Sequence, residues 1–156
     1  MLTVDIVGDK EVIARFGSMT DRIHQRLLQF ITGQAAKLQS YVVTEKLSGQ
    51  VLKHISGNLQ ASIHNEVEDS GSSIIGRVYS AGCNYAAIHE YGGQIPDRVP
   101  VNGQFLHFFI DGKEIFTKFA RGFTMPERSF LRSSLADNRD EIIAGMKEAV
   151  TEACKE

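Results

Sequence analysis

The sequence predicts an α+β fold: a long N-terminal helix and a C-terminal helix packed on one antiparallel β-sheet, with a long mobile loop. Three observations carry this. Apolar residues recur at helical spacing near both ends of the chain. Between them lie short alternating segments separated by turn residues. The length of 156 residues is that of one domain, spanning 1–156. Folding at this size buries roughly 68–70% of the surface that the unfolded chain exposes, enough for a self-supporting core.

The elements follow in order. "LTVDIV" (2–7) alternates and reads as a short strand ended by Gly8, with Asp9 as the N-cap of a helical region. Phe16, Ile23, Leu27, Ile31, Leu38 and Val42 then recur at spacings of seven, four, four, seven and four, a helical stripe. Gly17 and Ser18 are expected to divide a short helix from a longer one over 18–47, about 45 Å long at 1.5 Å per residue. Arg15, Arg22, Arg26 and Lys37 share a second face. Their simplest reading is exposed bases on a solvated helix, with a basic rail for an acidic partner or DNA as the alternative.

"ISGNLQASI" (55–63) reads as a turn feeding a strand. "LQASIHNEVED" (59–69) and "SIIGRVYSA" (73–81) flank a serine–glycine turn and predict a hairpin. "YAAIHEYGG" (85–93) follows, and then "GGQIPDRVPVNGQ" (92–104), a glycine- and proline-rich loop. "FLHFFI" (105–110) and "KEIFTKFA" (113–120) flank Asp-Gly, the pair favoured where a tight hairpin turn needs positive φ at both central residues. This hairpin should bury one face, through Ile115 and Phe119. "RGFTMPERSF" (121–130) reads as a linker, and a final helix runs from about Ser129 to Ala153.

The formal net charge of −2 gives no global signal for a polyanionic partner. Its distribution is uneven. Residues 10–53 carry seven bases against three acids, and residues 137–156 six acids against three bases. That polarity suits either two solvated faces or contacts between copies of the chain. Cys83 and Cys154 have no metal-ligand or disulfide pattern and are expected to be reduced, as in a protein made in the cytoplasm. The opening residues lack the basic and apolar runs of a signal peptide, and no stretch is apolar enough to span a bilayer.

His89 and Glu90 pose the sharpest chemical question. A helical zinc-protease motif would need a second histidine four residues on, but Gly93 stands there. The sequence contains no nucleophile elbow and no phosphate loop. No metal, cofactor or catalytic residue is therefore assigned. Glu90 is instead expected to anchor a junction by hydrogen bonding or by pairing with a base, with Gly92 and Gly93 releasing the chain into the loop. A hydrolase built on His89 and Glu90 ranks behind a nucleic-acid-binding alternative. The latter would use Arg121, Arg128 and Arg132 beside Phe119, Phe123 and Phe130.

Three ordered segments carry a resemblance. "SGNLQASI" (56–63) resembles a T-G-x-L-x-x-S-I signature, "YAAIHEYGG" (85–93) a Y-A-x-x-x-E-x-G element, and "MPERSFLRSSL" (125–135) a P-x-R-x-F-L-x-P-A-L segment. Together they resemble the tail-completion, or virion-morphogenesis, proteins of tailed bacteriophages and prophages. Ser56 stands in place of threonine, and Ser133-Ser134 in place of Pro-Ala.

The resemblance implies a non-catalytic structural protein of the virion tail or neck, assembled in the host cytoplasm, that completes the tail for head joining. Its implied partners are a tail terminator, the tail tube and a head-completion or connector protein. It also implies homo-oligomers, a sixfold ring being the natural expectation, with DNA met only in the assembled channel and no membrane partner. Candidate interface residues are Arg22, Arg26, Glu90, Gln94, Ile95, Asp97, Arg98, Val99 and Arg128. Those from 94 to 99 are chosen because loops on a rigid scaffold often carry binding function.

Overall fold

In a computed structural model, residues 9–50, 57–110 and 112–155 are described, with side chains from Met19 onward except Gln50. The strand expected at 2–7 and residue Asp111 of the hairpin turn lie outside the described residues.

Helix α1 runs from Asp9 to Tyr41 and continues as a wider π-helical turn, Val42–Gln50. It is unbroken at Gly17 and Ser18, where a division was expected. One glycine in a helix costs only about 1 kcal/mol, which the surrounding helix can absorb. The end comes instead at Gly49, whose φ of 125° lies outside the helical region. The short α2 (Asn58–Ala61) then leads into the antiparallel hairpin β1 (Ile63–Asp69) and β2 (Ile74–Ser80). This hairpin lies on α1. Gly76 allows the close approach, since a Cβ there would sit 2.9 Å from the Ile31 side chain. His24 Nε2 meets Asp69 Oδ2 at 2.9 Å and ties the hairpin tip to the helix.

Helix α3 (Ala86–Tyr91) leads to β3 (Gly93–Ile95), which pairs with β6 (Phe123–Met125). Between them β4 (Leu106–Ile110) and β5 (Lys113–Thr117) form the Asp-Gly hairpin. Helix α4, Leu131–Lys155, packs antiparallel to α1. At their contact, a Cβ on Gly145 would overlap the Phe30 ring.

The α+β class holds, with one correction. Among the described residues, the strands form three two-stranded antiparallel ladders rather than one sheet. Proline keeps the β3–β6 ladder short. Pro96 and Pro126 directly follow β3 and β6, and neither has an N–H to extend the ladder. The segment 92–104 is accordingly tied at its start. Gly93–Ile95 is strand, and Arg98 bridges Ala120 through backbone hydrogen bonds of 2.8 and 2.9 Å.

The buried core gathers Val42 and Leu47 of the π turn, Ile63 of β1, Ala86 of α3 and Phe130 beside α4. Phe130 is fully buried. The core thus sits where α3 meets the start of α4.

Candidate functional site

The first turn of any helix leaves N–H groups without intrahelical partners. In α4 every one of them is satisfied. Glu90 Oε2 accepts from the backbone N–H of Phe130 at 2.8 Å and of Leu131 at 2.9 Å, and Oε1 accepts from that of Arg132 at 3.0 Å. Ser129 Oγ accepts from the Ser133 N–H at 3.1 Å. A proline at 133 would have no N–H to give, so this bond needs a residue such as serine there.

Glu90 receives two further donors, the Ser129 hydroxyl at 2.8 Å and Arg132 Nε at 3.0 Å. Arg132 Nη2 then donates to the Glu90 carbonyl at 2.9 Å and to Glu127 at 2.6 Å, and its guanidinium lies 4.7 Å from the centre of the Tyr91 ring. The backbone adds a tie from Arg128 N–H to the His89 carbonyl, 2.8 Å.

Glu90 is only 3% exposed. Burial alone would push its carboxyl pKa up. The N–H groups of Leu131, Arg132 and Phe130, with the Ser129 hydroxyl, outweigh that and hold it below the usual carboxylate range. The carboxylate also faces the positive end of the α4 dipole. It is a helix cap supplied from 40 residues upstream.

This geometry bears directly on the chemistry of His89-Glu90. Both carboxylate oxygens are taken up by protein donors, leaving neither directed at a substrate. His89 is partly buried, its ring edge-on to Tyr85 at 5.8 Å, and its Nδ1 is buried without a hydrogen-bond partner among the described residues. Among the described residues, no three His, Cys, Asp or Glu side chains are grouped to hold a metal ion.

Burial, and then the Arg128 charge, lower the His89 pKa. The unfolded chain therefore takes up the proton first, and the His89 contribution present at neutral pH is lost as pH falls below about 6.5. His89→Leu is expected to flatten the loss of stability just below that pH relative to wild type. Denaturant midpoints measured across the range check this.

The chain matches no family model, no curated protein and no solved structure.

The remaining candidate residues fall into three places. Arg22 and Arg26 lie together on α1, bordering a shallow groove with Gln25 and Gln29, and Arg22 Nε is buried without a hydrogen-bond partner among the described residues. Other charges of the two polarised regions meet within the chain. Lys46 contacts Asp137 at 2.6 Å, Tyr41 donates to the same carboxylate, and Lys37 pairs with Glu141.

The candidates from 94 to 98 face strand β6 and the segment before it. Gln94 accepts from the Thr124 hydroxyl at 2.7 Å, Ile95 pairs with Phe123, and Asp97 accepts from the Gly122 N–H at 2.6 Å. Val99 is exposed. Arg128 stands next to His89. In the basic–aromatic cluster, Arg132 is engaged by two carboxylates and Phe130 is core, while Arg121, Arg128, Phe119 and Phe123 remain at the surface.

Sequence reading assigned no role to the outer face of the β4–β5 hairpin. One buried face was expected there, through Ile115 and Phe119. Ile115 is half-buried, but Phe119 is exposed, as are Phe105, Phe109, Ile110 and Phe116. The signal available was the presence of apolar residues on both alternating faces of "FLHFFI" and "KEIF". A one-sided hairpin would show polar residues on one of them.

Proposed function

We propose that the chain is a tail-completion protein of a tailed bacteriophage or prophage, acting at the head-proximal end of the tail so that a head can join. The observation that carries this reading is the convergence of the three segments on which the family resemblance rests. Leu59 and Ile63 come from the first, Ala86 and Glu90 from the second, Phe130 and Leu131 from the third, and they meet around one core. A pattern spread over some 80 residues of sequence is thus a single packing and capping unit. Such a unit holds a scaffold rigid, as a structural virion component requires.

The exposed aromatic side of β4–β5 supports the same reading, because an assembly component must carry surface to be covered by its partners. Those partners would be the tail terminator, tail tube and head-completion proteins, together with further copies arranged as a ring. DNA contact would be confined to the assembled channel.

Deletion of the gene from the phage or prophage that encodes it tests the proposal. Electron microscopy of the lysate should then reveal filled heads and separate tails that fail to join, restored by the gene in trans. Normal, joined particles from the deletion strain would overturn it.

A further inference from the structure

We propose that the β4–β5 hairpin of one copy docks into the apolar groove between α1, β2 and α4 of a second copy, giving a head-to-tail contact. Among the described residues, the hairpin's extensive contacts are between its own strands. A two-stranded hairpin standing alone is marginally stable in water. This one nevertheless carries large apolar side chains on both faces. Leu106, Phe108 and Ile115 lie on one, while Phe109 and Phe116, 65% and 61% exposed, lie on the other.

Area indicates what must cover it. With about 150–250 Å² for each aromatic side chain, the exposed portions of Phe105, Phe109, Phe116, Phe119 and Phe123 amount to roughly 400–700 Å². One partner in a stable protein interface contributes about 800 Å². Val99, Val101 and Ile110 are also exposed, Ile110 on the opposite hairpin face. That size is therefore approached only when both faces and the neighbouring segments are covered together, as insertion into a groove would do.

The same chain offers a receptor of matching chemistry. The groove has a volume of about 590 Å³ and is walled by Phe30, Leu38, Ile75, Leu135, Ile142 and Met146. That volume is within the range of pockets that enclose a ligand of several rings. Ile75 and Leu135 are exposed in the single chain. A lipid surface fits the hairpin less well, because the aromatic face also carries the ion pair of His107 with Glu114, 2.8 Å apart. Projection and groove are different surfaces of one chain. Their contact is therefore heterologous, the type that closes into a ring or extends as a filament.

Sedimentation equilibrium of the purified full chain tests the contact. Wild type should self-associate. Phe109→Asp with Phe116→Asp, and separately Leu135→Asp, should each remain monomeric across the same concentrations. An equimolar mixture of the two variants should form a one-to-one dimer, since each retains the surface the other lacks. Thermal melts establish that the variants fold, and Ile75→Asp replaces Leu135→Asp if the latter does not.

A monomeric wild type, variants that still self-associate, or a mixture that stays monomeric would each overturn the inference. The contact rests on the tail reading only for its purpose, and the two can fail separately. A monomer whose deletion still blocks head joining removes the contact alone. An assembling chain whose deletion leaves particles normal removes the tail reading alone.

Discussion

Glu90→Ala is expected to destabilise the fold by about 3–5 kcal/mol, the lower part of the range for three backbone N–H groups losing their acceptor at roughly 1–3 kcal/mol each. Most of the loss should come from the N–H groups of Phe130, Leu131 and Arg132, left without their acceptor at the edge of the core. Arg132 contributes less, because its side chain is half-exposed and keeps Glu127. Glu90→Gln is not a neutral change. An amide has one acceptor oxygen, and its NH₂ would face donors, so about half the loss is expected. Urea unfolding with an unchanged m-value checks both variants. A cost of Glu90→Ala below about 1 kcal/mol, the level of an ordinary surface substitution, would show that α4 does not depend on this cap.

The pH dependence has a definite sign. The folded-state pKa of Glu90 is depressed, so its contribution is complete above the ordinary glutamate value, about 4.3. It is lost as pH falls through the lower folded value. The stability gap between wild type and Glu90→Gln should therefore close only in acid, whereas the His89 effect belongs to the range just below pH 6.5.

Residues 129–132 read Ser-Phe-Leu-Arg. A local capping box would place Glu or Gln where Arg132 stands. The missing acid is a visible gap in the sequence, but nothing local says that Glu90 fills it. Periodicity reports which face of an element is apolar, and that made α1, α4 and the two larger hairpins readable. It does not report which distant element supplies a polar partner. The same limit applies to the charged ends of the chain. Their polarity was plain, yet Lys37–Glu141 and Lys46–Asp137 lie within one chain because α1 packs on α4.

The short elements were least readable. α3 has six residues and β3 three, too few for any period to establish itself. Only the buried Glu90 and the two following glycines distinguish this stretch from a loop. Even so, its expected role as an anchored junction follows from simple chemistry: an acid set among apolar residues needs donors, and two glycines mark a sharp change of direction.

Gly92→Ala should be the second severe substitution. Gly92 has φ 67° and ψ −169°, a region essentially confined to glycine. A Cβ there would lie 2.7 Å from the Glu127 nitrogen and 2.9 Å from the Met125 carbonyl oxygen. Both are backbone atoms, so no side chain can rotate out of the way. Strain of about 1–3 kcal/mol and overpacking of about 1–3 kcal/mol act together, for an expected loss near 4 kcal/mol in denaturant unfolding. The displaced segment, 125–127, leads directly into Ser129 and the capped turn of α4. Gly92→Ala should thus damage the same contact that Glu90→Ala removes. In a double-mutant cycle the two losses should fall short of additivity by at least about 1 kcal/mol. Full additivity would mean that the glycine turn and the carboxylate cap hold α4 independently.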